Sequence, residues 1–212
     1  MDASIRIAQL LCSRLCHDLA GPAGAVNAGV EFLSDGVGEA SEAAELALQA
    51  AHQMTRRLEF YRAALGGAGG AALDDAKRLA SGLLAESATV LDWPDGPGSQ
   101  ELVAATPSVS KLVLNMILLG VESLPRGGTL GVRIDTQSAV TAVTVNAAGA
   151  GARVREDVVL AMDSAASIEV LSPLNIHAHF LARLARGLGT TVRISVVRDS
   201  VVELSAEVPG SA

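Results

Sequence analysis

With 212 residues and a net charge of −7, the chain has room for one large or two small domains, and its acidity without any basic run argues against a nucleic-acid partner. Half of the residues are apolar, yet there are only three Phe, one Tyr and one Trp, so the core has to be built from Ala, Val, Leu and Ile. No apolar stretch approaches the ~20 residues of a membrane span, and the N-terminus lacks the basic-then-apolar order of a secretory signal; a cytoplasmic protein with no membrane partner is expected.

Residues 3–34 read as one long helix. Ile5, Ala8, Cys12, Leu15, Leu19, Pro22, Val26, Val30 and Leu33 recur every three or four positions, the seam of a helix packed in a bundle. His17 lies two residues from both Leu15 and Leu19, about 200° away from that seam, which makes it solvated and reachable. Pro22 has no N–H to donate to the Asp18 carbonyl and is expected to kink the helix one turn after His17. Gly21 and Gly24 strip side chains from the His17 face. Cys12 and Cys16, at i and i+4, are too far apart for unstrained bridging and are expected to be reduced, partly buried fillers.

The stretch 34–38 is a turn, with Gly36 suited to end the helix. A second helix starts near Ser41, acidic at first (Glu39, Glu42, Glu45) and richer in Arg later, as the macrodipole prefers; its expected seam is Leu48, Ala51, Met54, Leu58, Tyr61 and Leu65. A two-helix hairpin cannot cover both apolar seams alone, whereas two hairpins from two chains can, as a four-helix bundle. A homodimer with two outward-facing His17 side chains is therefore expected. Residues 66–70, Gly-Gly-Ala-Gly-Gly, form a linker and the clearest boundary, dividing the chain into 1–66 and 71–212.

Past the linker the pattern is mixed α/β. Helices are expected from Asp74 to about Ser87, from Ser108 (as N-cap) to Ser123, and over Glu156–Met162; a last helix opens at Ser172-Pro173 and is stopped by Gly189. Strands are expected at Thr89–Trp93, Leu102–Ala104, Thr129–Thr136, Val140–Asn146, Val192–Val197 and Val201–Val208. Helices on one face of a mostly antiparallel sheet make an α/β sandwich. His177 and His179, at i and i+2, point about 200° apart on a helix and cannot clamp one metal; His52 reads as bundle surface or interhelical packing.

The run His17-Asp18-Leu19-Ala20-Gly21-Pro22 resembles the H-box of two-component histidine kinases, in which a phosphorylated histidine is followed by an acidic residue and, further on, by proline. The second half resembles the ATPase domain of the same kinases. Asn115 matches the first asparagine of their N-box, but Leu119 occupies the metal-binding position, and leucine offers no oxygen to Mg²⁺. Ala147-Ala148-Gly149-Ala150-Gly151 keeps both glycines of the adenine box and lacks its aspartate. Residues 169–175 hold no glycine where phosphates would be cradled by backbone N–H groups.

Taken over its whole length, the chain resembles the ChpT-type histidine phosphotransferases of alphaproteobacteria. The resemblance implies a helical hairpin, forming a four-helix bundle on dimerisation, plus an α/β sandwich like a histidine kinase catalytic domain. It implies a phosphorelay function: His17 accepts a phosphoryl group from a receiver aspartate and returns it to another, with a hybrid kinase such as CckA upstream and regulators such as CtrA and CpdR downstream. Asp18 either orients the imidazole or is a solvated acid. Arg14 either steers the phosphate or receiver, or is a plain surface arginine. Gly21, Pro22 and Gly24, with Ala20 and Ala28, leave room for a receiver helix. No cofactor or metal is expected in this chain, the Mg²⁺ belonging to the receiver. An ATP-dependent kinase and a non-enzymatic dimeric scaffold are the two alternatives.

Overall fold

The structure is a computed structural model that describes residues 2–35, 40–67, 72–94, 107–137, 140–163, 165–198 and 200–210. Two long helices come first, α1 (Ala3–Asp35) and α2 (Ala40–Leu65), then α3 (Leu73–Leu84), β1 (Thr89–Asp92), α4 (Pro107–Glu122), β2 (Gly128–Gln137), β3 (Val140–Ala148), α5 (Glu156–Ala161), α6 (Ile176–Gly187), β4 (Arg193–Arg198) and β5 (Val201–Pro209). The five strands form one sheet in the order β1-β2-β3-β5-β4, parallel only between β1 and β2. The turn 34–38 beyond Asp35, the centre of the linker and the strand expected at 102–104 lie outside the described residues.

Alternation on the strands decides which face is covered. Val143, Val145 and Ala147 on β3 are buried, and each pairs with a buried residue of β5: Ala206, Leu204 and Val202. Leu130 and Val132 on β2 continue the row. Against this face lies α4, whose Leu112, Val113, Leu114, Met116 and Ile117 are fully enclosed. A helix apolar all round must be covered all round, and α4 packs on the sheet, on α3, on α6 and on α2. The cluster it nucleates also takes in Leu10, Phe60, Tyr61 and Ala64 of the hairpin. Gly120 lets α4 approach the sheet: a Cβ there would stand 2.6 Å from Leu130 Cδ1. Gly29 does the same between α1 and α2, where a Cβ would meet Ala47 Cβ at 2.8 Å and the Ala43 carbonyl at 2.9 Å.

Within the single chain the buried residues of α2 are Ala43, Ala50, Phe60, Tyr61 and Ala64, while Leu48 and Leu58 of the expected seam are exposed; the side facing α1 and α4 is set by small residues and the aromatic pair. On α1 the buried positions are Leu10, Pro22 and Gly29, and Ile5, Val30 and Leu33 of the expected seam are exposed in the single chain. Cys12 and Cys16 are free thiols, both exposed rather than partly buried. α3 stops at Leu84, short of Ser87. α4 already includes Pro107, so Ser108 lies inside it instead of capping it. The last helix starts at Ile176, not at Ser172. Asn175 is the reason: its Oδ1 accepts from Ser172 N at 2.8 Å, and Ser172 O accepts from Asn175 N and Ile176 N at 3.2 and 3.0 Å. Pro173 falls in that tight turn, where its fixed φ fits equally well.

Candidate functional site

α1 runs unbroken through Pro22, which is buried. The carbonyl that Pro22 cannot serve, that of Asp18, faces Arg57 Nη1 of α2 at 3.4 Å. The proline therefore does more than interrupt a ladder: it releases an acceptor that ties α1 to α2 one turn from His17. Gly21 and Gly24 are exposed, and a Cβ on either would meet nothing within 4 Å. Nothing in the packing of this chain requires them to be small, unlike Gly29.

His17 projects from this segment with its side chain 81 % exposed, whereas the neighbouring Asp18 side chain is only 13 % exposed. Asp18 Oδ2 accepts from Arg14 Nε and from the Tyr61 hydroxyl, both at 2.8 Å. Its Oδ1 lies 3.5 Å from His17 Nδ1, the outer limit of a hydrogen bond. Burial pushes the Asp18 carboxyl up, but the Arg14 and Tyr61 hydrogen bonds and the Arg14 charge outweigh it, so the group sits below its ordinary value and is ionised. Burial, then the charge of Asp18, push the Tyr61 phenol far up, which keeps it a donor. Of the two sequence alternatives for Asp18, the solvated acid is thereby set aside.

Arg14 is likewise not a plain surface arginine. Its Nη2 donates to Glu122 Oε1 at 2.8 Å, so one guanidinium joins the helix bearing His17 to the end of α4. Burial raises the Glu122 carboxyl, partly offset by the charge and hydrogen bond of Arg14. Behind Glu122, 3.8 Å from its Oε1, stands the Nδ1 of His177, a buried nitrogen with no hydrogen-bond partner. Burial, with the nearby Arg14 charge, pulls His177 down to about 3, so it is neutral and forms no ion pair with Glu122. The Asn115 amide nitrogen donates to the Ala64 and Lys111 carbonyls, both at 2.8 Å, which leaves Asn115 Oδ1 to accept from His177 Nε2 at 3.1 Å. Asn115 and Glu122 are seven residues apart and share one face of α4; that face carries a polar path from the C-terminal end of α2 to Arg14.

These groups border a cleft of about 400 Å³ between α1 and the sheet-bearing part, lined by Arg14, His17, Asp18, Glu122, Arg155 and Leu174 among others. Arg155 is held by Asp157 at 2.9 and 2.7 Å and donates to the Leu174 carbonyl at 3.1 Å. Of the sequence candidates, His17, Asp18 and Arg14 come together here, and Gly21 and Gly24 continue the His17 face; Pro22 is buried away from it. Sequence reasoning missed Tyr61, Arg57, Glu122 and Arg155. Only Arg57 had a signal, the unserved Asp18 carbonyl, and that signal names no partner. Leu119 and Ala147 are core, 1 % and 0 % exposed.

The site is thus an exposed histidine on a helical hairpin, backed by a carboxylate and packed beside a five-stranded sheet. Residues 73–200 match the family described as the histidine phosphotransferase C-terminal domain. The protein phosphotransferase ChpT of Brucella abortus (strain 2308) is 30 % identical over 209 residues, 97 % of either chain. A solved bacterial phosphotransferase superposes with a TM-score of 0.82 at 27 % identity, over 97 % of this chain and 98 % of that one. The chain belongs to the histidine phosphotransferase family, and its function is that of a phosphorelay histidine phosphotransferase.

Proposed function

We propose that His17 is the residue that carries the phosphoryl group between receiver aspartates. The observation that carries this reading is the contrast between His17, almost fully exposed, and Asp18, locked beneath it with one oxygen left toward the ring. With Nδ1 facing Asp18, the lone pair on Nε2 attacks the phosphorus of an aspartyl phosphate in line. The N–P bond forms, the P–O bond to the aspartate breaks, and the receiver carboxylate leaves with its electron pair. The positive charge that develops on the ring is balanced by Asp18 through Nδ1–H. Running the same step backwards delivers the group to a second receiver. The receiver supplies its own acidic cluster and Mg²⁺, so this chain needs neither nucleotide nor metal. Gly21 and Gly24, small without any internal packing reason, keep the surface next to His17 low enough for a docking helix. CckA-like receivers upstream and CtrA-like or CpdR-like receivers downstream fit this reading, in the cytoplasm; among the described residues no helix is long and apolar enough to cross a membrane.

The active form in this reading is a homodimer. Ile5, Val30, Phe32 and Leu33 on α1 and Leu48 and Leu58 on α2 are exposed in the single chain, more apolar surface than a lone hairpin keeps in water. A second hairpin would cover it as a four-helix bundle.

The test is transfer of label from a phosphorylated receiver. His17→Ala should fold with stability within about 0.5 kcal/mol of wild type, since the side chain is exposed, and should accept no label. Label on His17→Ala, or label on the wild type from Mg-ATP with no kinase present, would refute the assignment.

A further inference from the structure

Arg14 pairs with both Asp18 on α1 and Glu122 on α4 at this site. Its guanidinium is planar and rigid, so anchors at two of its nitrogens fix the orientation of the whole plane. Nε is anchored on Asp18 Oδ2 and Nη2 on Glu122 Oε1, each at 2.8 Å. The preferred way for an arginine to meet a lone carboxylate is the two-pronged fork, with Nε and Nη2 on the two oxygens. Here that fork is not made: Nη2 is turned to Glu122 Oε1 instead of to Asp18, and Asp18 Oδ1 is the oxygen that faces His17 Nδ1. Glu122 has no competing charge partner behind it, because His177 is neutral and has committed its Nε2–H to Asn115. Arg155, the other cation near Glu122, is forked onto Asp157.

We propose that Glu122 is a positioning residue for phosphoryl transfer: by holding Arg14 Nη2, it keeps one oxygen of Asp18 available to the Nδ1 side of His17. The sheet domain thus acts on the transfer step without touching the phosphoryl group. This rests on the reading of His17 as the phosphoacceptor. Without Glu122, Arg14 closes its fork on Asp18, Oδ1 is withdrawn from the imidazole, and the ring loses the partner that sets its tautomer.

The experiment is single-turnover transfer from a phosphorylated receiver over a range of receiver concentrations, with ¹⁵N NMR of the His17 ring in parallel. Glu122→Ala should lower the saturated rate about tenfold, the usual scale for an outer partner of a working imidazole, and leave the half-saturating receiver concentration within about twofold. The fraction of His17 protonated on Nδ1 should fall in the same variant. Glu122→Gln keeps an oxygen for Arg14 and should restore most of the rate and of the tautomer. Combined with Arg14→Ala, Glu122→Ala should add nothing to the loss that Arg14→Ala causes alone. If Glu122→Ala fails to fold, Glu122→Asp withdraws the carboxylate by one methylene and should show the same slower saturated rate. A wild-type rate in the folded variant, a change confined to half-saturation, an unchanged tautomer, or losses that multiply in the double variant would each overturn the inference. His17→Ala run alongside separates the two claims: label on it removes the phosphoacceptor, whereas an inert His17→Ala with a fully active Glu122→Ala removes only the role of Glu122.

Discussion

Replacing Tyr61 by Phe removes one hydrogen-bond donor and little else. The ring is 6 % exposed and stands edge-on to Phe60 with centroids 6.0 Å apart, so phenylalanine fills the same space. What disappears is the 2.8 Å bond from the hydroxyl to Asp18 Oδ2. A bond to a charged group contributes about 1.5–3 kcal/mol net; Arg14 still serves the same oxygen, which places the expected loss near the lower end, about 1.5–2 kcal/mol. In a chain of this length that is a fall in Tm of roughly 3–8 °C. The loss should depend on pH. The Asp18 pKa is lower in the folded than in the unfolded chain, so its stabilisation is complete above the unfolded value near 4 and is lost as pH falls through the lower folded one. Losing the Tyr61 donor moves the folded pKa back toward the ordinary value. Urea unfolding should therefore show a gap between the two proteins that is constant from pH 7 to 5 and narrows toward pH 3, with an unchanged m-value. A gap under about 0.5 kcal/mol at pH 7, or one just as wide at pH 3, would refute the account of how Asp18 is held.

Asn115→Ala should cost about 2–6 kcal/mol in denaturant unfolding, because it strands the buried Ala64 carbonyl and His177 Nε2 at about 1–3 kcal/mol each; faster amide exchange in the last turn of α2 should accompany it, and a neutral effect would mean that water replaces the asparagine. Leu48→Glu with Leu58→Glu puts charge on the exposed apolar side of α2 and should yield a folded monomer in light scattering; a dimer that persists would place the interface elsewhere than on the hairpin.

How much of this was legible in the sequence follows from range. The helices and strands with strong period, α1, α2 and β2 to β5, were readable within a few residues because their signals are local. Gly189 at the end of α6 (φ 71°) was readable for the same reason. The start of α6 was misread because Ser-Pro is a good helix opening, while the residue that overrides it, Asn175, acts through Ser172, Asp157 and Val170 at once. The α1 seam was only half right as core: a helix that packs on its own chain along one side and leaves a second apolar side open prints both sides in one period. Likewise on α2, Leu48 and Leu58 read as core by hydrophobicity, whereas the covered side is lined by Ala43, Ala50 and Ala64, where small size lets helices approach. At the site, His17, Asp18 and Arg14 were visible because they lie within one turn. Tyr61 and Glu122 reach Asp18 and Arg14 across 43 and 108 residues, and no local pattern announces such pairs.

Two positions singled out in the sequence lie in the core around α4. Leu119 and Ala147, the positions that would meet metal and adenine in an ATPase-like domain, are in the apolar core, where an asparagine or aspartate would be buried without a partner at a cost of several kcal/mol. Asn115 is equally buried, and its side-chain polar atoms are spent inside the chain: the amide nitrogen donates to Ala64 and Lys111, and the oxygen accepts from His177. Those partners belong to the hairpin, to α4 itself and to α6. Asn115 therefore fastens the hairpin to α4 and α6. One turn-pair further along that face, Glu122 reaches Arg14. This face of α4 thus bonds the hairpin at two places, at the Ala64 carbonyl through Asn115 and at Arg14 through Glu122.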